Sequence, residues 1–130
     1  MQTTNEFSFI LKPSPIGGVG VFALHDIPAD ADLALVPSDY ETRLLHESEI
    51  PLALRMYCVA RENDMWVCPA QFNRLELSWH LNHSEEPNAL HIGKGAFRTC
   101  KAIKADEEIL INYNTLNEPE AKKEDYYRQQ

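Results

Sequence analysis

The chain has 130 residues, 44% of them hydrophobic and 25% charged, enough for one domain with a real core and too few for two. Its net charge of −8, from 20 acidic and 12 basic residues, lacks the cationic excess that direct nucleic-acid binding requires and suits a basic partner. Met1–Glu6 show no basic region leading into an apolar run, and no stretch is long and apolar enough to span a membrane, so an intracellular, cytoplasmic protein is expected.

The elements are predicted in chain order. Phe7 to Leu11 alternates as a strand and stops at Pro13 and Pro15. Gly17 to Gly20 is a turn, Val21 to Leu24 a second strand, and Asp26 to Asp30 another turn. Leu33 to Val36 reads as a short buried strand. Leu44 to Met56 reads as loosely helical, interrupted by Pro51. Tyr57–Arg61 and Met65–Cys68 form a hairpin about Glu62-Asn63-Asp64, and Leu75 to Leu81 a short helix. Asn82 to Asn88 is loop. A second hairpin joins Ala89–Ile92 to Ala96–Cys100 over Gly93-Lys94-Gly95, and Lys104-Ala105-Asp106 turns into a last strand, Ile109 to Asn112. The tail from Glu118 to Gln130 is polar, helical or frayed, with Tyr126 and Tyr127 favoured as fraying in water. The sum is an α+β chain that is mostly β.

Three odd cysteines, Cys58, Cys68 and Cys100, show no C-x-x-C pair and read as reduced thiols. His80 and His83 share a helical face and, with Cys68 or His91, would give three zinc donors but no evident fourth, so no metal site is expected.

Gly18-Val19-Gly20-Val21-Phe22-Ala23 fits a dinucleotide fingerprint in form only. That fold needs a helix opening at the glycines, and the apolar, β-branched run before Pro28 opposes one. What remains is narrower: glycines without Cβ let backbone approach a ligand closely.

The informative segment is Asn82-His83-Ser84-Glu85-Glu86-Pro87-Asn88. Together with Gly18-Val19-Gly20 before it and Glu107-Glu108-Ile109-Leu110-Ile111-Asn112-Tyr113 after it, the sequence resembles the SET-domain protein-lysine methyltransferases, over roughly Phe7 to Tyr113. The compact size is similar to the small, free-standing viral and bacterial members. The resemblance implies one SET domain over residues 1–130 (core 7–113, tail 114–130), built of several small sheets with a knot-like C-terminal segment.

It further implies S-adenosyl-L-methionine as cofactor, held by Gly18, Val19, Gly20, Asn82 and His83. Tyr113 would be the catalytic residue at the mouth of a lysine channel. His91 occupies the place next to the Pro-Asn pair where a further channel tyrosine is common in the family. Glu85 replaces the zinc-binding cysteine of many members, and no cysteine follows Cys100, so the zinc-bearing tail is missing. The expected partner is a basic, lysine-containing protein of histone-like character, with a homodimer as a further way for a chain this small to complete its groove. The alternative is a catalytically inactive SET-like interaction module.

Overall fold

The structure, a computed structural model, describes residues 7–128 apart from Ser38 and Lys94. The expectations for Met1–Glu6, for Lys94 in its hairpin turn and for the last two residues of the tail lie outside the described residues. Among the described residues short strands dominate, the only helical segments being 3-10 turns, and the strands gather into four small sheets. The mostly-β expectation holds.

β1 (Phe9–Pro13) and β2 (Val19–Ala23) form an antiparallel hairpin, in register from Phe9 opposite Ala23 to Pro13 opposite Val19. The turn closes because Gly18 takes φ +58°, a left-handed conformation open to a residue without Cβ. β2 is the buried member. On its other edge the Ala23 N–H donates to the Glu107 carbonyl at 2.9 Å and the Ile109 N–H to the Val21 carbonyl at 2.8 Å. The main core forms on this base, with Val21, Ala23, Ile27, Leu81, Ile103 and Ile109 among its buried members. Each large aliphatic side chain buried there contributes about 1.5–3 kcal/mol.

β3 (Asp32–Leu33) begins a second sheet, completed by two later strands. β4 (Thr42–His46) pairs antiparallel with β6 (Met65–Pro69), which also takes β5 (Val59–Ala60) on its other edge. This sheet has its own small core of Ile50, Cys58, Ala60, Trp66 and Cys68. The hairpin predicted about Glu62-Asn63-Asp64 is present, with Asn63 and Asp64 both at positive φ in its turn.

The helical reading of Leu44 to Met56 is corrected here. Its first half is β4, because β6 offers a full ladder of partners from Thr42 opposite Pro69 to His46 opposite Met65. Leu44 then faces outward and Leu45 packs on Trp66's cluster, a period of two rather than 3.6. Two 3-10 turns follow, Glu47–Glu49 and Leu52–Tyr57, separated by Pro51. The first is fixed by a capping box in which His46 Nδ1 accepts from the Ser48 N–H and the Glu49 carboxylate accepts from the His46 N–H. The predicted helix at Leu75–Leu81 is also shorter, a single 3-10 turn at Leu77–His80.

Asn82–His83, expected as loop, form strand β7. It lies parallel to the last strand, with Asn82 opposite Leu110 and His83 opposite Ile111. β8 (Ala89–His91) and β9 (Phe97–Thr99) form the second predicted hairpin, and β9 bridges β8 to β3. β10 (Leu110–Ile111) thus continues a segment whose earlier residues pair with β2 and whose later ones pair with β7. The C-terminal segment thereby ties the glycine hairpin to the Asn82–Asn88 loop.

Candidate active site

The Asn82–Asn88 loop is held by its own amides. Asn88 Nδ2 donates to the Glu108 carbonyl at 2.7 Å and Asn88 Oδ1 accepts the Leu110 N–H at 2.8 Å, so one side chain replaces a missing strand neighbour. The Ser84 N–H donates to the Ile111 carbonyl at 2.9 Å. This pins β7 beside β10 and fixes where Tyr113 begins its 3-10 turn, Tyr113–Leu116. Asn112 caps that turn by accepting from the Asn114 N–H at 2.9 Å.

His83 is the hub. Its Nδ1 accepts the Tyr113 backbone N–H at 3.0 Å, which requires the tautomer with hydrogen on Nε2. That Nε2 is buried without a hydrogen-bond partner among the described residues, and the Glu85 carboxylate stands 3.6 Å away. Burial lowers the His83 pKa, and Glu85 opposes the shift. The neutral ring is therefore the resting form. The Tyr113 ring lies 5.2 Å from the His83 ring, and its hydroxyl donates to the Leu81 carbonyl. Burial, with Tyr126 and nearby carboxylates, pushes the Tyr113 phenol up, so it stays protonated.

Asn82 reaches the opposite way, to the glycine hairpin. Its Nδ2 donates to Glu108 Oε2 at 2.7 Å and to the Val19 carbonyl at 3.3 Å, while Glu108 Oε1 accepts from the Ser14 hydroxyl at 2.8 Å. Gly20 owes its small size to this arrangement, since a Cβ there would run into the Glu108 carboxylate. Gly18 faces open space instead, with nothing within 4 Å of a Cβ position. Gly18, Val19, Gly20, Asn82 and His83, separate in sequence, thus form one connected cluster with Tyr113 at its far end.

Beyond Tyr113 opens a cavity of about 790 Å³. Tyr113 and His91 both line it, together with Tyr57, Trp79, Tyr126 and Tyr127, whereas none of the glycine-turn residues, Asn82 or His83 does. Burial and the Arg61 charge hold the His91 pKa down. Tyr113 therefore touches His83 on one side and the cavity on the other.

The tail requires a correction. Tyr127 does not fray: it is buried, 5.1 Å from Tyr113 and 5.7 Å from His83 ring to ring, and its hydroxyl donates to Glu118 Oε1 at 2.6 Å. Glu118 Oε2 in turn accepts the Ala60 N–H at 2.7 Å. Tyr126 stays 66% exposed but packs on the same rings. The sequence reading missed Glu108, Glu118 and Asn88 as organisers. Only the placement of Glu108 before an apolar pair and Tyr113 hinted at one of them.

A model of the SET domain matches residues 18–114. The chain belongs to the SET-domain family. Among solved structures, one from Plasmodium falciparum, named as a candidate histone methyltransferase, is 28% identical with a TM-score of 0.50, covering 82% of this chain and 96% of that one. The methyltransferase domain of human PR domain-containing protein 2 is 20% identical with a TM-score of 0.55, covering 79% of this chain and 74% of that one, a likeness of fold. No curated protein sequence matches. The SET match and the Plasmodium falciparum neighbour support methyltransferase activity in general terms, and both neighbours share the fold of small sheets.

Proposed function

We propose that the protein transfers a methyl group from S-adenosyl-L-methionine to the side-chain amine of a lysine in a protein substrate. The observation that carries this reading is Tyr113 standing between the Asn82–His83 cluster and the large aromatic cavity. The donor's fit rests on three features of the chain. Gly18 leaves open backbone, His83 keeps a buried Nε2–H unpartnered among the described residues, and the rings of Tyr126 and Tyr127, edge to face at 71°, give an aromatic wall beside it. When bound, S-adenosyl-L-methionine supplies an electrophilic methyl group on a sulfonium.

The residues of the chain do the rest. A free lysine amine has a pKa near 10.4 and is almost wholly protonated at neutral pH. Taking the amine out of bulk water into the cavity beside Tyr113 and His91 disfavours the ammonium and lowers that pKa, so water can take the proton and no strong protein base is needed. The neutral Tyr113 oxygen, anchored by donating to the Leu81 carbonyl, has lone pairs to spare for weak C–H···O contacts with polarised methyl hydrogens. Fixed walls that orient two reactants supply about 7–11 kcal/mol. The net charge of −8 favours encounter with a basic substrate, and the name of the Plasmodium falciparum neighbour makes a histone tail a reasonable first substrate.

The test is transfer of an isotope-labelled methyl group from S-adenosyl-L-methionine to a panel of basic proteins, with the site found by mass spectrometry. Calorimetry with the donor runs beside it. Binding heat and a labelled lysine are expected. Heat without any labelled product would favour the inactive interaction module, and absence of both would end the reading.

A further inference from the structure

Five of the six arginines have partners in the fold. Arg43 donates to the Pro69 carbonyl, Arg61 to the carbonyls of Ala60 and Leu116, and Arg74, Arg98 and Arg128 pair with carboxylates. Arg55 differs. Among the described residues it makes no side-chain hydrogen bond or ion pair, and its Nε is buried without an acceptor. Its guanidinium lies over the Trp66 ring, 5.7 Å from the centroid, which orients it without satisfying its donors.

The nearby carboxylate is already in use. Glu47 accepts from Lys122 Nζ at 2.9 Å and from Trp66 Nε1 at 3.2 Å, so the Arg55 charge influences it but does not hold it. A buried N–H with no acceptor is costly, and an arginine fork matches a carboxylate.

Its position gives that unpaired fork a purpose. Arg55 borders the same cavity as Tyr113, on the 3-10 turn Leu52–Tyr57. Leu52 and Met56 on that turn also border the cavity and are 78% and 74% exposed, so an apolar rim flanks a guanidinium that has no partner among the described residues.

We propose that Arg55 is a specificity residue that pairs with an aspartate or glutamate of the protein substrate, near in sequence to the target lysine and beside an apolar residue that covers Leu52 and Met56. The inference rests on the methyl-transfer reading and refines its substrate: a locally acidic and apolar site, whatever the overall charge of the protein that carries it. The carboxylate of S-adenosyl-L-methionine is the other anion available. Asn82, His83 and the glycine turn do not line the cavity that Arg55 borders, but Tyr126 and Tyr127, set beside the donor, do, so donor affinity in the Arg55 variants decides between the two anions.

The experiment uses the full chain and a set of fluorescent lysine peptides carrying Glu, Gln or Lys at each flanking position. Binding is read by anisotropy and methyl transfer by mass spectrometry, for the wild type, Arg55→Gln and Arg55→Glu. The wild type should prefer Glu over Gln at one flanking position by roughly tenfold. Arg55→Gln should level that preference, and Arg55→Glu should shift it to Lys at the same position. Calorimetric affinity for S-adenosyl-L-methionine should hold in both variants.

Methyl transfer with no charge preference would overturn the Arg55 assignment alone. Retained acidic preference in binding without transfer would overturn the enzyme reading alone. A fall in donor affinity with unchanged peptide preference would assign Arg55 to the cofactor instead. A wild type that binds none of the peptides overturns the assignment whatever else it does.

Discussion

The Nδ1 of His83 accepts the backbone N–H of Tyr113 at 3.0 Å, so the ring of one signature motif sets the start of the other. Two segments thirty residues apart are joined by an imidazole rather than by a ladder bond alone.

Removing only the Tyr113 oxygen tests its chemistry. Tyr113→Phe keeps the ring contacts to His83 and Tyr127 and loses the hydroxyl that donates to Leu81. Turnover should fall about a hundredfold while the donor's affinity stays within about twofold, measured by steady-state kinetics and calorimetry. Stability should drop by about 1 kcal/mol in denaturant titration. Parallel losses in affinity and rate would make Tyr113 structural.

Asn82→Ala has two expected readouts. It removes the amide that holds the Glu108 carboxylate and reaches the Val19 carbonyl, so the fold should lose about 1–3 kcal/mol. Donor affinity should fall as well, and more than the same measurement shows for Ser14→Ala, which removes the other partner of Glu108. Equal effects in the two variants would remove Asn82 from the binding set.

Gly20→Ala should destabilise by about 1–3 kcal/mol because its methyl would displace the Glu108 carboxylate. Gly18→Ala has space but a left-handed backbone, with an expected cost of about 1–2 kcal/mol. Gly18→Asn should recover part of that loss, since asparagine tolerates the left-handed region, and Gly20→Asn should recover none. Thermal unfolding of the four variants decides it.

Acid should weaken the fold through His83. Its folded pKa lies below the ordinary value of 6.5, so the unfolded chain takes up the proton first. Stability is fully present above that ordinary value and is lost as pH falls through and below it. Thermal midpoints measured from about pH 7.5 down to about pH 5 should decline. His83→Asn, whose amide oxygen can accept the Tyr113 N–H in place of Nδ1, should show a shallower decline. An unchanged slope would assign the loss to His80 and His91, which burial shifts in the same direction.

The tail gives the last prediction. Tyr127→Phe leaves Glu118 Oε1 without its donor and should cost about 1–2 kcal/mol, whereas Tyr127→Ala also empties a buried ring site and should cost about 3–5 kcal/mol. Denaturant midpoints would separate the two, and equal losses would mean that the ring packs loosely.

The sequence was most legible where side chains carry chemistry in short motifs. The structure brings Asn82 to Val19 of the Gly18-Val19-Gly20 turn and His83 to Tyr113, segments that the family resemblance had grouped. It was least legible where partners are distant. Leu44 and Leu45 suit a helix face as well as a strand, and only β6, twenty residues on, decides for the strand. Asn82–His83 carry no strand signal, because a parallel bridge two residues long depends on β10 alone. Tyr127 looked expendable since Glu118 and the rings that cover it become neighbours only after the tail folds back.

The parallel pairing of β7 with β10 also governs when the pocket comes into being. A nascent chain that has not yet delivered Leu110 and Ile111 leaves Asn82–His83 unpaired, and Tyr113 must follow before His83 has an N–H to hold. Slow, late closure of long-range contacts is the cost of such wiring. Donor recognition should therefore emerge all at once after Tyr113 has been made, and no truncated product ending before Leu110 should retain a trace of it.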